Sequence, residues 1–89
     1  MTLRIEKTAE KEFIIFTLSG RIEAEQVAEL QRLLDLEAVA RYIILDLKEV
    51  KLLDREAVVF LAHCEKNGAK LRNCPAYIRE WISRERDKA

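Results

Sequence analysis

An α/β fold, with a four-stranded mixed sheet and about three helices packed on it, is what this chain of 89 residues predicts. Three observations lead there. Short, apolar, β-branched runs of strand length alternate with longer stretches in which apolar residues recur every three or four positions. The first two strand-like runs are separated by a few polar residues only, which favours an antiparallel hairpin. The later ones are joined through helices, which implies parallel pairing by right-handed crossovers. The element order is β-β-α-β-α-β-α, in a single domain over residues 1–89.

Leu3 to Lys7 (LRIEK) alternates apolar and polar, as an edge strand with one wet face does, whereas Phe13 to Leu18 (FIIFTL) is almost wholly apolar and is expected to be covered on both faces. Gly20 ends this second strand. From Glu25 to about Glu37 the apolar residues Val27, Leu30, Leu33, Leu34 and Leu36 keep helical spacing. Tyr42 to Leu47 (YIILDL) reads as a central strand with both faces apolar, Asp46 excepted. Asp54 then stands where an N-cap belongs, ahead of Ala57, Val58, Leu61 and Ala62, and Asn67-Gly68 closes that helix. Ala69 to Arg72 is a short strand. Cys74-Pro75 opens a last helix whose apolar stripe is Tyr77, Ile78, Trp81 and Ile82, with Tyr77 and Trp81 as core anchors. The residues after Ser83 (RERDKA) are expected to fray.

The composition narrows the function. With 49% hydrophobic and 36% charged residues the chain has the apolar content that a disordered protein lacks. Its sixteen basic and sixteen acidic residues are interspersed, so no field of one sign favours nucleic acid or an anionic membrane. No apolar run has the length of a signal peptide or a membrane span, and a cytoplasmic location is expected. Cys64 and Cys74 lack the spacing of a zinc site and read as thiols packed like small hydrophobes; neither a metal nor another cofactor is expected. Templates for catalysis also fail. His63 and Cys64 are neighbours in a helix and point about 100° apart, a poor geometry for a dyad. A protein without enzymatic activity is the expectation.

Three stretches, FTLSGRIEAEQVAELQRLL, YIILDLKEVKLLDREAVVFL and NGAKLRNCPAYIREWI, resemble in order and spacing the STAS domain of bacterial anti-sigma factor antagonists and sulphate transporter tails. The resemblance runs from about Leu3 to Ile82. Its most specific piece is the strand ending in LDL, followed by an xVxxLD loop and a helix start that in the family commonly reads D-S-S-G-L. Here those positions are Asp54, Arg55, Glu56, Ala57 and Val58. In the family's regulators, the serine that Glu56 matches is phosphorylated by a partner kinase that doubles as the anti-sigma factor. Glu56 takes no phosphate, and no Ser, Thr or Tyr lies between Tyr42 and Tyr77. Longer family members add a strand and a helix, so an uncovered sheet edge or helix face is expected here.

The resemblance implies a protein-interaction module that docks through this turn and the helix after it. Glu56 gives a fixed charge of −1 in place of a phosphoserine's roughly −1.5 to −2. Arg55 adds a planar, bidentate donor for a partner carboxylate or phosphate. On helix dipole grounds alone Glu56 is already favourable and Arg55 is not. Val59, Phe60 and His63 are expected to continue the face, although Phe60 is equally suited to packing against a neighbouring helix. Gly20, Arg21 and Glu23 match the family's G-x-x-D entrance to the first helix beside the turn, and Leu53 precedes it. The partner classes so implied are a kinase-like anti-sigma factor, other STAS proteins, or the ATPase of an ABC-type transporter, and the domain is compatible with a homodimer. The rival from another class is a small-ligand or nucleotide sensor using the same turn.

Overall fold

The computed structural model describes residues 3–37 and 42–87. Strands β1 (Leu3–Ala9), β2 (Phe13–Ile22), β3 (Tyr42–Leu53) and β4 (Lys70–Arg72) form one sheet in the order β1-β2-β3-β4. Helices α1 (Ala24–Glu37), α2 (Arg55–Lys66) and α3 (Ala76–Asp87) alternate with the later strands, so the element order is the expected one. β1 pairs antiparallel with β2, while β2 with β3 and β3 with β4 are parallel.

Strand lengths differ from the expectation in an instructive way. β2 does not end at Gly20 but continues to Ile22, and β3 continues to Leu53. The continuation carries two register shifts, one of them at Gly20, whose φ of 99° is the left-handed conformation a glycine adopts without a Cβ penalty. Hydrophobic pattern alone does not reveal an extension of this kind, because Arg21, Lys48, Glu49 and Lys51 are exposed polar residues inside the strands.

Burial follows the pleat. Ile14, Phe16 and Leu18 of β2 and Leu45 and Leu47 of β3 are sealed, and with Leu30 and Leu34 of α1, the apolar side of α2, and Ile78 and Ile82 of α3 they make a single core. Leu3, Ile5, Ile43 and Leu71 pack against its margin. The two-sided burial expected of β2 and β3 is corrected here: Phe13, Ile15 and Ile44, which point the other way, are half-buried and stand outside this core. No helix among the described residues covers that second face.

α2 has both ends fixed by its sequence. Asp54 is the N-cap, and Asn67 closes the helix with its amide on the carbonyls of the last turn, followed by Gly68 at φ 105°. α3 corrects two expectations. It does not lose order after Ser83 but runs to Asp87, because Glu85 and Arg86 bond to other parts of the fold. Residues 88–89 lie outside the described part. Tyr77 is 57% exposed and anchors nothing in the core, whereas Trp81 packs against its margin and Ile78 and Ile82 fill it.

Candidate functional site

Parallel pairing brings the carboxyl ends of β2 and β3 together, with Ile22 beside Leu53, so the turns into α1 and α2 emerge next to each other. Asp54 ties them. Its Oδ1 accepts the Ala57 amide in the first turn of α2 at 2.9 Å, and its Oδ2 accepts the Ala24 amide at the start of α1, also at 2.9 Å. The Asp54 amide donates to the Ile22 carbonyl at 3.2 Å. One carboxylate therefore satisfies a free N–H at each of two helix N-termini, and its charge sits between two positive dipole ends. Glu23 caps α1: its carbonyl receives the Gln26 and Val27 amides, and its own amide donates to Gln26 Oε1 at 3.1 Å.

Around this clamp the expected site residues separate into two groups. Arg21, Arg55, Glu56, Val59 and His63 are exposed, and Gly20, Glu23 and Asp54 are partly so. Leu53 and Phe60 are buried, Phe60 with 5% of its surface left, and neither offers a face to a partner. Helix geometry explains the correction for Phe60: it lies three residues after Ala57 and four before Cys64, on the core stripe, while Val59 is 43% exposed on the other side. The face open to solvent is thus Arg55, Val59, His63 and Lys66, at steps of three and four residues, opposite Glu85 and Arg86 of α3 across a shallow groove.

The structure also gives Arg55 a partner that the sequence did not suggest. Its Nε lies 3.7 Å from Glu85 Oε1; the Arg55 side chain stays exposed while that of Glu85 is 7% exposed. Farther along, Arg79 grips Glu65 with two hydrogen bonds of 2.9 Å, and Arg86 adds a third at 2.9 Å, fastening α3 to α2. The Arg79 hydrogen bonds, more than any other influence, hold the Glu65 carboxyl below its ordinary range and raise Arg79 above its own. Sequence separations of 14, 21 and 30 residues put these pairs beyond local pattern reading.

A pH consequence follows. Because the folded pKa of Glu65 is depressed, its contribution is complete above the unfolded value and is lost as pH falls through the folded one. Glu65→Gln is expected to cost about 1 kcal/mol at neutral pH, a modest figure because the arginines are partly solvated. Urea unfolding from neutral to acid pH should show the variant losing less stability on acidification than the wild type.

Cys64 is buried, and burial pushes its thiol up to about 11, so at neutral pH it is an inert, protonated core residue; the thiol of partly buried Cys74 is also raised, chiefly by desolvation. Among the described residues no cluster of three or more His, Cys, Asp or Glu is placed to hold a metal ion. None of the described helices is long and apolar enough to cross a membrane.

No protein-family model and no curated protein matches the sequence. Solved structures do match in fold. The anti-sigma factor antagonist SpoIIAA in its unphosphorylated form superposes with a TM-score of 0.70 at 14% identity, over 92% of this chain and 82% of that one. A STAS domain of an antisigma-factor antagonist from Rhodobacter sphaeroides gives 0.61 at 16% identity, over 80% and 84%. A DUF3478 family protein with a SpoIIAA-like fold from Shewanella loihica gives 0.59 at 17% identity, over 93% and 75%. With the four-stranded mixed sheet, the three helices and the capped turn at Asp54 in place, the chain has the STAS, or SpoIIAA-like, fold.

Proposed function

We propose that this protein is a non-enzymatic regulatory module of the bacterial cytoplasm that docks a partner protein through the α2 turn and the exposed side of α2, without a serine switch. The observation that carries this reading is the division of labour at the turn. Asp54 ties the two helix starts together, while Arg55 and Glu56 stand exposed at the tip with Val59 and His63 behind them. Arg21, in the last residues of β2, and Glu23, on the turn after it, border the same end of the sheet. Glu56 supplies a permanent charge where the antagonists of this fold place a switchable one, so binding is constitutive and is read by charge and shape. A kinase-like anti-sigma factor is the first partner class, with transcription as the process regulated.

The test is a binding titration against a kinase-like protein encoded by a neighbouring gene, comparing wild type with Arg55→Ala and Val59→Asp. Each variant is expected to weaken binding about tenfold or more, as loss of a well-placed contact residue does. With ATP present, the wild type should gain no phosphate in the turn. Unchanged affinity in both variants, or phosphate in the turn, would overturn the proposal.

A further inference from the structure

β1 is the outermost strand of the sheet, and it pairs with β2 without a register shift over its whole length, from Leu3 against Gly20 to Ala9 against Ile14. The hairpin fixes where its backbone groups point. The Glu10 amide donates to the Phe13 carbonyl directly opposite at 2.8 Å, and in an antiparallel ladder such bonded pairs recur at every second residue. Arg4, Glu6 and Thr8 therefore direct their N–H and C=O groups to Ser19, Thr17 and Ile15 of β2, while those of Leu3 and Ile5 aim away from the sheet. The strand contains neither proline nor bulge, and α1 packs on β2 and α2, which leaves β1 at the margin. Its charges alternate in sign. Arg4 and Glu6 are exposed on one face, 3.9 Å apart, and Lys7 stands on the other. β2 adds no charge beside them, since Ser19, Leu18, Thr17 and Phe16 lie opposite Arg4, Ile5, Glu6 and Lys7.

We infer that β1 pairs antiparallel with β1 of a second copy of the chain, about a two-fold axis through Ile5, so that the two sheets join edge to edge. In that register Ile5 faces Ile5, and each Ile5 N–H reaches the carbonyl of the other. Arg4 faces Glu6 of the second copy, Glu6 faces Arg4, and Leu3 lies beside Lys7, which is the self-complementarity that a two-fold interface requires. Each Arg4 then has a carboxylate along its own strand and another across the joint, each Glu6 likewise a guanidinium, and the Lys7 stem lies along Leu3. Other registers lose this pattern. An axis at Arg4, Glu6 or Lys7 sets that residue against itself, a like-charge pair directly opposed. An axis between two residues sets groups already bonded to β2 against outward-facing ones and closes no ladder. Edge pairing over Leu3–Lys7 covers little side-chain surface, so the interface falls below the lower limit of stable complexes, about 1,200 Å² in total, and the dimer is weak, micromolar or looser. This edge is separate from the α2 face and does not depend on the function proposed for it.

Sedimentation equilibrium of the full chain from low micromolar to near-millimolar protein tests the inference, with amide exchange by NMR over the same series. A monomer–dimer equilibrium is expected, in which the Ile5 amide gains protection as concentration rises, while the Arg4 and Glu6 amides, bonded to β2, are protected throughout. Arg4→Glu and Glu6→Arg should each weaken association about tenfold or more, since each turns two cross-strand attractions into repulsions. An equimolar mixture of these two variants should form a heterodimer, because their unlike charges then face each other, and the double variant Arg4→Glu with Glu6→Arg should restore the homodimer. Both positions are exposed, and thermal melts establish that every variant is folded. A monomer at every concentration, a dimer in which the Ile5 amide gains no protection, single variants that associate like the wild type, or a folded double variant without rescue would each overturn the inference.

Discussion

Asp54→Ala should lower the unfolding free energy by about 2 to 3 kcal/mol, more than the loss of an ordinary helix cap. A single cap is worth about 1 kcal/mol, and this carboxylate serves two helices, through Ala57 at the start of α2 and Ala24 at the start of α1. For a domain of this size the loss appears as a fall in Tm of roughly 10 to 15 °C. Asn in its place keeps one carbonyl acceptor and loses the charge that faces two dipole ends, so Asp54→Asn should fall between wild type and the alanine variant. Urea melts give the magnitudes, and native-state hydrogen exchange gives the cause. The Ala24 and Ala57 amides should lose protection together in Asp54→Ala; a loss at Ala57 with none at Ala24 would mean that the bond between the turns contributes nothing.

The second large effect separates the two sides of α2. Phe60→Ala is expected to destabilise by about 3 to 4 kcal/mol, the cost of emptying a packed aromatic site. Val59→Ala, one residue earlier but largely solvated, should change stability by no more than about 0.5 kcal/mol. Equilibrium denaturation of both, at matched pH and salt, checks the contrast. A Phe60 variant as stable as wild type would mean that this ring stands in solvent and belongs to the docking face after all.

These contrasts mark where the sequence was legible. Every strand and helix could be read from it, because each carries its own periodicity and most end at a residue with a mechanical role, such as Asp54, Asn67-Gly68 and Pro75. Strand extent was not legible, since β2 and β3 continue beyond their apolar runs through the solvated residues of their outer halves. Covering of the sheet was misread for a related reason. An apolar run predicts two buried faces, yet Phe13, Ile15, Tyr42 and Ile44 line a face that no described helix packs on.

The turn itself was read correctly in its cap and incompletely in its partners. Asp54 announces a helix start by residue type and spacing, which is local information. Its second bond to Ala24, the pairing of Arg55 with Glu85, and the grip of Arg79 and Arg86 on Glu65 join residues far apart in the chain. The first depends on β3 lying beside β2 and the others on how α3 lies against α2, which are tertiary outcomes. The expectation of a frayed end after Ser83 failed on the same ground: a mixed-charge segment with no apolar stripe stays helical because two of its side chains have partners elsewhere.

The double cap at Asp54 has a use in protein engineering. The geometry at this end of the sheet is fixed by a side chain that points back into the fold, so the neighbouring outward positions tolerate exchange. A combinatorial library varied at Glu56, Val59 and His63, with Asp54 and the Glu85 partner Arg55 held constant, is suited to selecting new binding specificities on an unchanged framework.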